Sequence, residues 1–412
     1  MSDRKTGMLI IFIFGILLFP GIAYGQLDFS RFNLTIKYRP TDNIPMRYQV
    51  TKNKDQIILF FSLDIPTQVN FNENYSLYYE IKKEYGSSNS LTTQTLYFST
   101  SGIGEENGKK YFRIEIDDTE NQNILILRLT NNLSEIEYVW DIPLHGSITY
   151  EPPDFYLCKS DDILPYLDSY LNMGDSLRIV STDSSLNTFY IYHYEHTFSQ
   201  ADPPMYRLDK NVSRALQIDT LFTINSGEPL SLEEEGLYFI QSDTSTFSGI
   251  SIRAEERFYP KPVRIEDVID PVIYLTTRQE INRLKENKNP REAFEKFWLN
   301  LSASEDQASR LIREYFNQVE IVNEMFTNYK QGWKTDMGMI YIIFGPPDEV
   351  YNNGETESWY YRQQAATSTI VFNFLRLKSI FTHHHYLLIR DKEYRNPWFK
   401  AIEDWRRGRI NR

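Results

Sequence analysis

Past Pro260-Lys261-Pro262 the spacing of apolar residues changes from every second position to every third or fourth, which dictates two kinds of structure in one chain. Before that point, short alternating runs are separated by clusters of Asn, Gly and Asp. From Leu27 to about Ile148 the runs are FNLTIKYR, QIILFFSLDI, YSLYYEIKKEY, TTQTLYFST, KYFRIEID, NILILRLT and EIEYVWDIPL. Their spacing of about ten residues, with turn signals between them, is that of an antiparallel β-sandwich. Pro152 and Pro153 cannot donate ladder hydrogen bonds and close that unit. A second set lies between about Phe155 and Pro260: FYLCKS, SLRIVST, TFYIYHYEH, RALQIDTLFTI, GLYFIQSD and ISIRAEERF. Within it, Glu234-Glu235-Gly236-Leu237-Tyr238 has the pattern of a tyrosine corner, in which the phenol ties a strand end to nearby backbone. His193 and His196 stand at odd spacing on one of these strands and point to opposite faces, which disfavours a shared metal.

Beyond the switch the signals are helical. Thr277-Arg278-Gln279-Glu280 has capping-box spacing, and Asn289-Pro290-Arg291-Glu292 supplies an N-cap, a first-turn proline and an acid at the third position. A third helix begins near Ser302 or Ser304, with Leu311, Ile312, Tyr315, Phe316, Val319, Val322, Phe326 and Tyr329 as its apolar stripe. Gly332 then reads as a left-handed C-cap, and Thr335-Asp336-Met337-Gly338 as a tight turn with Gly338 at positive φ. Met339 to Phe344, apolar on both faces, reads as a central buried strand, and Gly345-Pro346-Pro347-Asp348 as the turn that ends it. The expected fold is mostly β with a C-terminal α+β domain. Residues 26–150 and 151–260 form two immunoglobulin-like β-sandwich domains, and 261–412 a helical segment followed by a small antiparallel sheet.

The N-terminus carries a location signal. Arg4 and Lys5 precede the apolar run from Met8 to Phe19, and Ala23-Tyr24-Gly25 offers small side chains to a peptidase, so residues 1–25 read as a secretory signal peptide cleaved before Gln26. That run falls short of the roughly 20 residues that span a bilayer, so no transmembrane anchor is expected after cleavage. Cys158 is the only cysteine, which excludes an internal disulfide and reads as a small buried hydrophobe. A formal net charge of -12 disfavours nucleic acid, the short basic tail Trp405–Arg412 reading as a solvated helix end. Aromatic residues at 15% favour β packing and surfaces that meet protein or carbohydrate.

Gly332-Trp333-Lys334-Thr335-Asp336, followed by Gly338, the Gly345-Pro346-Pro347-Asp348-Glu349 turn and Trp359-Tyr360-Tyr361-Arg362, resembles the GWxTD domain proteins of bacterial cell envelopes. Phe297-Trp298 and the helix from Tyr315 to Phe326 fit the same pattern, so the resemblance covers about Thr276 to Arg412. It implies an exported protein of Bacteroidota type with a β-rich N-terminal region, and it brings no established activity. The candidate ligand or motif residues are Trp333, Thr335, Asp336, Gly338, Pro346, Pro347, Asp348 and Trp359.

No catalytic residue and no cofactor are indicated, since GxGxxG, GxxxxGK[ST], GxSxG and HExxH patterns are missing. Asp336, Asp348, Glu349 and Glu357 lie on or beside turns that could converge as acid and base or around a divalent ion, although each also serves as a turn former. In Thr382-His383-His384-His385-Tyr386 a strand would place His383 and His385 on one face as two metal ligands, an exposed hairpin being the alternative. Two functions are carried forward. One is a binding, scaffolding or assembly role with an envelope protein or glycan as partner, in the periplasm, at the outer membrane or outside the cell. The other is an envelope hydrolase or metal-dependent enzyme using the turn carboxylates or the His383/His385 pair. Mass spectrometry of exported protein is expected to find Gln26 at the N-terminus; a mature chain that retains the apolar run rejects the cleavage.

Overall fold

A computed structural model describes residues 28–409 except 67, 120–121, 146–150, 161, 184, 196–197, 207–215 and 363–368. The signal segment, His196 and the last residues of the basic tail lie outside the described residues. Among the described residues no helix is long and apolar enough to cross a membrane.

Two four-stranded antiparallel sheets make the first sandwich. One runs Met46–Asn53, Gln56–Asp64, Lys109–Asp117, Gly102–Glu106, and the other Thr92–Leu96, Tyr75–Lys82, Ile124–Asn131, Glu137–Pro143. Alternation sends Ile57, Leu59 and Phe61 from one sheet against Leu125, Leu127 and Leu129 from the other. The opposite face of the second sheet is covered too, since Ile124, Ile126 and Val139 join the core of the C-terminal unit. That double burial accounts for the unbroken apolar run Ile124-Leu125-Ile126-Leu127.

FNLTIKYR does not form the expected strand. It makes one short 3-10 turn, Thr35–Tyr38, just after another at Phe29–Arg31. Its polar groups are satisfied across the molecule instead of in a ladder. The Leu34 amide donates to the Val350 carbonyl at 2.8 Å, and the Thr35 hydroxyl to the Pro347 carbonyl at 2.6 Å. Phe29, Leu34 and Tyr38 are buried in the C-terminal core. The segment is therefore a strap that fastens the start of the described chain to its end.

The second sandwich packs a five-stranded sheet on a three-stranded one. Phe155, Leu157 and Ile179 face Phe189, Ile191 and Ile240 across its core. Cys158, next to Leu157 on the same strand, is a buried free thiol. The tyrosine corner is present: the Tyr238 hydroxyl donates to the Glu234 carbonyl at 3.1 Å and accepts from the Glu234 amide at 3.3 Å.

In the C-terminal unit the expected helix starts hold. Thr277 and Glu280 close a capping box on helix Arg278–Lys285, Asn289 caps Pro290–Asn300, and Ser304 caps Glu305–Phe326. Strands Glu349–Asn352, Thr356–Arg362, Thr369–Arg376 and Tyr386–Leu388 form the small antiparallel sheet.

The stretch between helix and sheet departs from expectation. Asp336–Phe344 is a helix, not a turn and a strand. A segment apolar on every side satisfies a fully buried helix as well as a central strand, and periodicity cannot separate the two. The decision lies with Thr335, whose hydroxyl accepts from the Gly338 amide at 2.9 Å as N-cap. Nor is Gly332 a left-handed C-cap, because helix Glu305–Phe326 has already ended and Gly332 opens a short 3-10 turn, Gly332–Lys334. Its glycine is required by proximity: a Cβ there would lie 1.9 Å from the Val322 carbonyl oxygen. Gly338 is likewise not at positive φ, and a Cβ on it would lie 2.0 Å from the Gly332 carbonyl oxygen. Both contacts are with backbone, so neither can be relieved by a side-chain rotation. Gly332→Ala and Gly338→Ala are each expected to cost at least about 3 kcal/mol, the upper range for overpacking, measured by urea unfolding.

Candidate functional site

Every letter of the Gly-Trp-x-Thr-Asp motif has a structural post. The Trp333 ring is buried; its amide donates to Asn323 Oδ1 at 3.0 Å, its indole to Gln331 Oε1 at 3.0 Å, and its carbonyl accepts the Tyr274 hydroxyl at 2.9 Å. Thr335 donates to the Gly332 carbonyl at 2.7 Å while it caps the helix, so one hydroxyl joins the 3-10 turn to the helix start. Asp336, 3% exposed, stands in the first turn of that helix, where an anion is favoured. Its carboxylate holds Arg390 through both guanidinium nitrogens, at 2.6 and 3.1 Å, and accepts the Leu388 amide at 2.7 Å. Arg390 in turn donates to the Asp202 carbonyl of the second sandwich at 3.0 Å. Trp333 and Asp336 are thus pegs inside the fold.

The other candidates follow the same rule. Gly345 ends the helix at φ 78, Pro346 is exposed, and the buried Pro347 offers its carbonyl to the strap. Asp348 accepts the Arg362 amide at 2.6 Å, closing the hairpin, and Glu349 pairs with Arg362. Trp359 is fully buried, packed against Tyr38 and Phe374 with ring centres 4.8 and 4.9 Å away. The turn carboxylates do not converge on one site: Asp336, Asp348 and Glu357 each have a separate set of partners. The histidine run does not lie on a strand either, since the strand begins at Tyr386. His384 meets the Tyr48 hydroxyl of the first sandwich at 2.9 Å and His385 packs edge-on to Tyr329 just past helix Glu305–Phe326, so the run docks there without pairing His383 and His385 on a strand face.

What the structure does assemble is a buried polar cluster across the joint between strap, first sandwich and C-terminal sheet. Lys37 Nζ lies 2.7 Å from Asp141 Oδ1, while Tyr85 and Asn352 Nδ2 donate to Asp141 Oδ2 at 2.9 and 3.1 Å. Asn352 Nδ2 also reaches Glu357 Oε2 at 3.3 Å, and Glu357 Oε1 accepts from Tyr38 and the Trp359 indole at 2.6 and 2.8 Å. Burial pulls the Asp141 pKa up, but the Lys37 ammonium and its hydrogen bond outweigh burial and hold it below the usual value. Burial pushes the Glu357 pKa up, and there the nearby charges and donors do not fully compensate. Asp141 was legible as an acid inside the apolar strand Tyr138-Val139-Trp140-Asp141-Ile142, since a buried carboxylate requires a partner. Lys37, Asn352 and Arg390 carried no such signal.

Beside this cluster lies a cavity of about 420 Å³ where the three units meet. Lys37, Asp141 and Glu357 stand at one part of its wall, and Tyr48, Tyr166 and His384 at another. Both cations on its wall are engaged by carboxylates, Lys37 by Asp141 at 2.7 Å and Arg47 by Asp168 at 3.3 Å and Glu324 at 3.8 Å, while Glu357 is held by neutral donors.

Fold and motif together define an α+β unit welded to two sandwiches. Residues 236–407 match the GWxTD domain, so this chain carries a GWxTD domain whose match begins within the second sandwich, at the glycine of the tyrosine corner. No curated protein matches the chain. Solved structures similar to it include Dpr2 Ig1-Ig2 in complex with DIP-Theta Ig1-Ig3, at 12% identity over 52% of this chain and 95% of that one, TM-score 0.17. Others are the teleost fish polymeric Ig receptor ectodomain, at 6% identity, 50% and 97% coverage and TM-score 0.18, and the C-terminal 282-residue fragment of intimin in complex with the intimin-binding domain of its receptor Tir, at 12%, 85%, 95% and 0.15. Scores of this size carry no argument about this chain.

Asp336→Ala is expected to destabilise the protein by about 3–5 kcal/mol, because it strands a buried guanidinium, and Glu357→Ala by a similar amount, because it strands two buried donors, the Tyr38 hydroxyl and the Trp359 indole. The Lys37–Asp141 pair also sets a pH window. Asp141's depressed pKa contributes stability present above its ordinary value of 3.8 and lost as pH falls through the folded value. Lys37's raised pKa contributes stability present below 10.5 and lost as pH rises through the folded value. Asp141→Asn should therefore remove stability between those limits and flatten the acid limb of the unfolding profile.

Proposed function

We propose that the protein is a non-enzymatic binding component of the cell envelope, exported through its N-terminal signal, and that its ligand seat is the three-unit cavity. The observation that carries this reading is the cavity itself, built from all three units while the conspicuous motif is spent on folding. With Lys37 and Arg47 already engaged by carboxylates, the pocket has little to offer a strongly anionic ligand. Tyrosine rings, hydroxyls and amides suit an uncharged polar one, and this supports a glycan segment as occupant.

One observation favours a hydrolase reading: Asp141 and Glu357 share Asn352, border the cavity, and have pKa values displaced in opposite directions, a pattern used by acid–base pairs. Against it, the oxygens of both carboxylates are already engaged by protein donors, which leaves them poorly placed to exchange a proton with a substrate.

Neutral oligosaccharides released from the native envelope should bind, by titration calorimetry. Tyr48→Ala and His384→Ala should each weaken that binding at least tenfold, about 1.4 kcal/mol. No binding, or affinity indifferent to both changes, sinks the glycan seat. Shortened products that vanish in a folded Glu357→Gln variant transfer the case to the hydrolase.

A further inference from the structure

The second sandwich holds a group of side chains that neither the motif nor the cavity uses. His193 sits on strand Thr188–Tyr194 with its side chain 2% exposed. Its ring stacks on Tyr238 with centres 4.4 Å apart, and its far edge meets Gly236, where a Cβ would come within 2.6 Å of Nε2. Gly236 also has φ +151, so a side chain there is excluded on both counts. The imidazole is thereby clamped in one orientation.

Both ring nitrogens of this clamped histidine face acceptors. Nε2 lies 3.3 Å from the Glu235 carbonyl oxygen, which can only accept, so Nε2 carries the proton. Nδ1, left with a lone pair in that tautomer, points at Glu234 Oε2 at 3.4 Å, a second group that only accepts when ionised. A positive species is called for between them. A proton would join those two, and a metal ion would join a third group as well. The Glu195 carboxylate converges on the same point, with donor atoms of His193, Glu195 and Glu234 all within 4.8 Å of one another.

The supporting contacts orient these ligands. The tyrosine corner grips both the amide and the carbonyl of Glu234, and the same Tyr238 ring backs His193. Asp219 Oδ2 accepts the Glu195 amide at 2.8 Å. Among the described residues, neither Glu195 nor Glu234 has a Lys or Arg within ion-pair distance, although Lys330 and Lys334 border the adjoining cavity of about 390 Å³. An imidazole whose other N–H is fixed by a backbone carbonyl is the usual arrangement around a ligated metal.

We propose that the second sandwich holds a divalent cation of the zinc class, ligated by His193 Nδ1 and the carboxylates of Glu195 and Glu234, with its open side toward the cavity that Lys334 of the GWxTD motif borders. A nitrogen ligand selects zinc, cobalt or nickel over calcium and magnesium, which prefer all-oxygen sites. Ligand arms of about 2 Å bring donor atoms to roughly 3–3.5 Å apart, a closure that the two exposed glutamates can make by rotation.

The test uses the full exported chain stripped with EDTA. Zinc titrated calorimetrically should bind at one equivalent, and cobalt should give the visible absorption of a site with a nitrogen ligand. Glu195→Gln and Glu234→Gln, both at exposed positions, should fold normally and each weaken zinc at least tenfold. His193→Gln should abolish the cobalt spectrum, and if it fails to fold the two glutamate variants decide. Absence of stoichiometric zinc binding, equal binding of magnesium or calcium, or zinc affinity unchanged in both glutamate variants overturns the site and leaves His193 as a proton-bridged partner of Glu234.

Discussion

The ion pair between Asp336 and Arg390 is the contact on which the three-unit arrangement turns. Asp336 belongs to the first turn of helix Asp336–Phe344, Arg390 to the segment after strand Tyr386–Leu388, and the guanidinium reaches on to the Asp202 carbonyl of the second sandwich. A buried pair of this kind adds little beyond what hydrophobic residues of equal volume would supply, but it is costly to break. It selects one register of helix against sheet, because only that register matches the charge and satisfies the Leu388 amide.

The close approaches at Gly332 and Gly338 serve the same end. They bring the 3-10 turn against helix Glu305–Phe326 and the next helix against the turn, so that Trp333 fills the space between. From that compact centre the core continues without interruption to Ile124, Ile126 and Val139 on the first sandwich, and to Phe29, Leu34 and Tyr38 on the strap. Shared apolar burial on this scale opposes independent motion of the units. The cavity at their junction is consequently a shaped feature of one body.

The polar groups of the molecule that draw notice fall into two kinds. Lys37, Asp141, Asn352 and Glu357 are saturated by one another and lock the first sandwich to the C-terminal sheet. His193, Glu195 and Glu234, in the second sandwich, instead bring ligand atoms within 4.8 Å of one another. That contrast in satisfaction, more than the sequence motif, separates groups that hold the fold from groups that offer a ligand a place. Acceptors gathered on a buried imidazole favour a cation or a proton, whereas donors facing acceptors require nothing further.

Much of the architecture was legible in the chain itself. Three helix caps and the tyrosine corner depend on neighbours within a few residues, and each stands where the pattern places it. Local signals failed where burial was complete or partners were remote. Met339 to Phe344 has no polar face, so its apolar pattern held no period, and a threonine cap decided for helix. FNLTIKYR alternates like a strand, yet a sheet edge was not what it met; carbonyls more than 300 residues away took its hydrogen bonds. Separation along the chain likewise hid Tyr38 from Glu357, 319 residues apart, and Arg390 from Asp336, 54 apart. Composition and short-range chemistry determine which elements form, because helices, strands and turns close their bonds locally. Which charges meet, and whether they neutralise one another or leave room for a ligand, is decided only when tertiary packing removes water from between them.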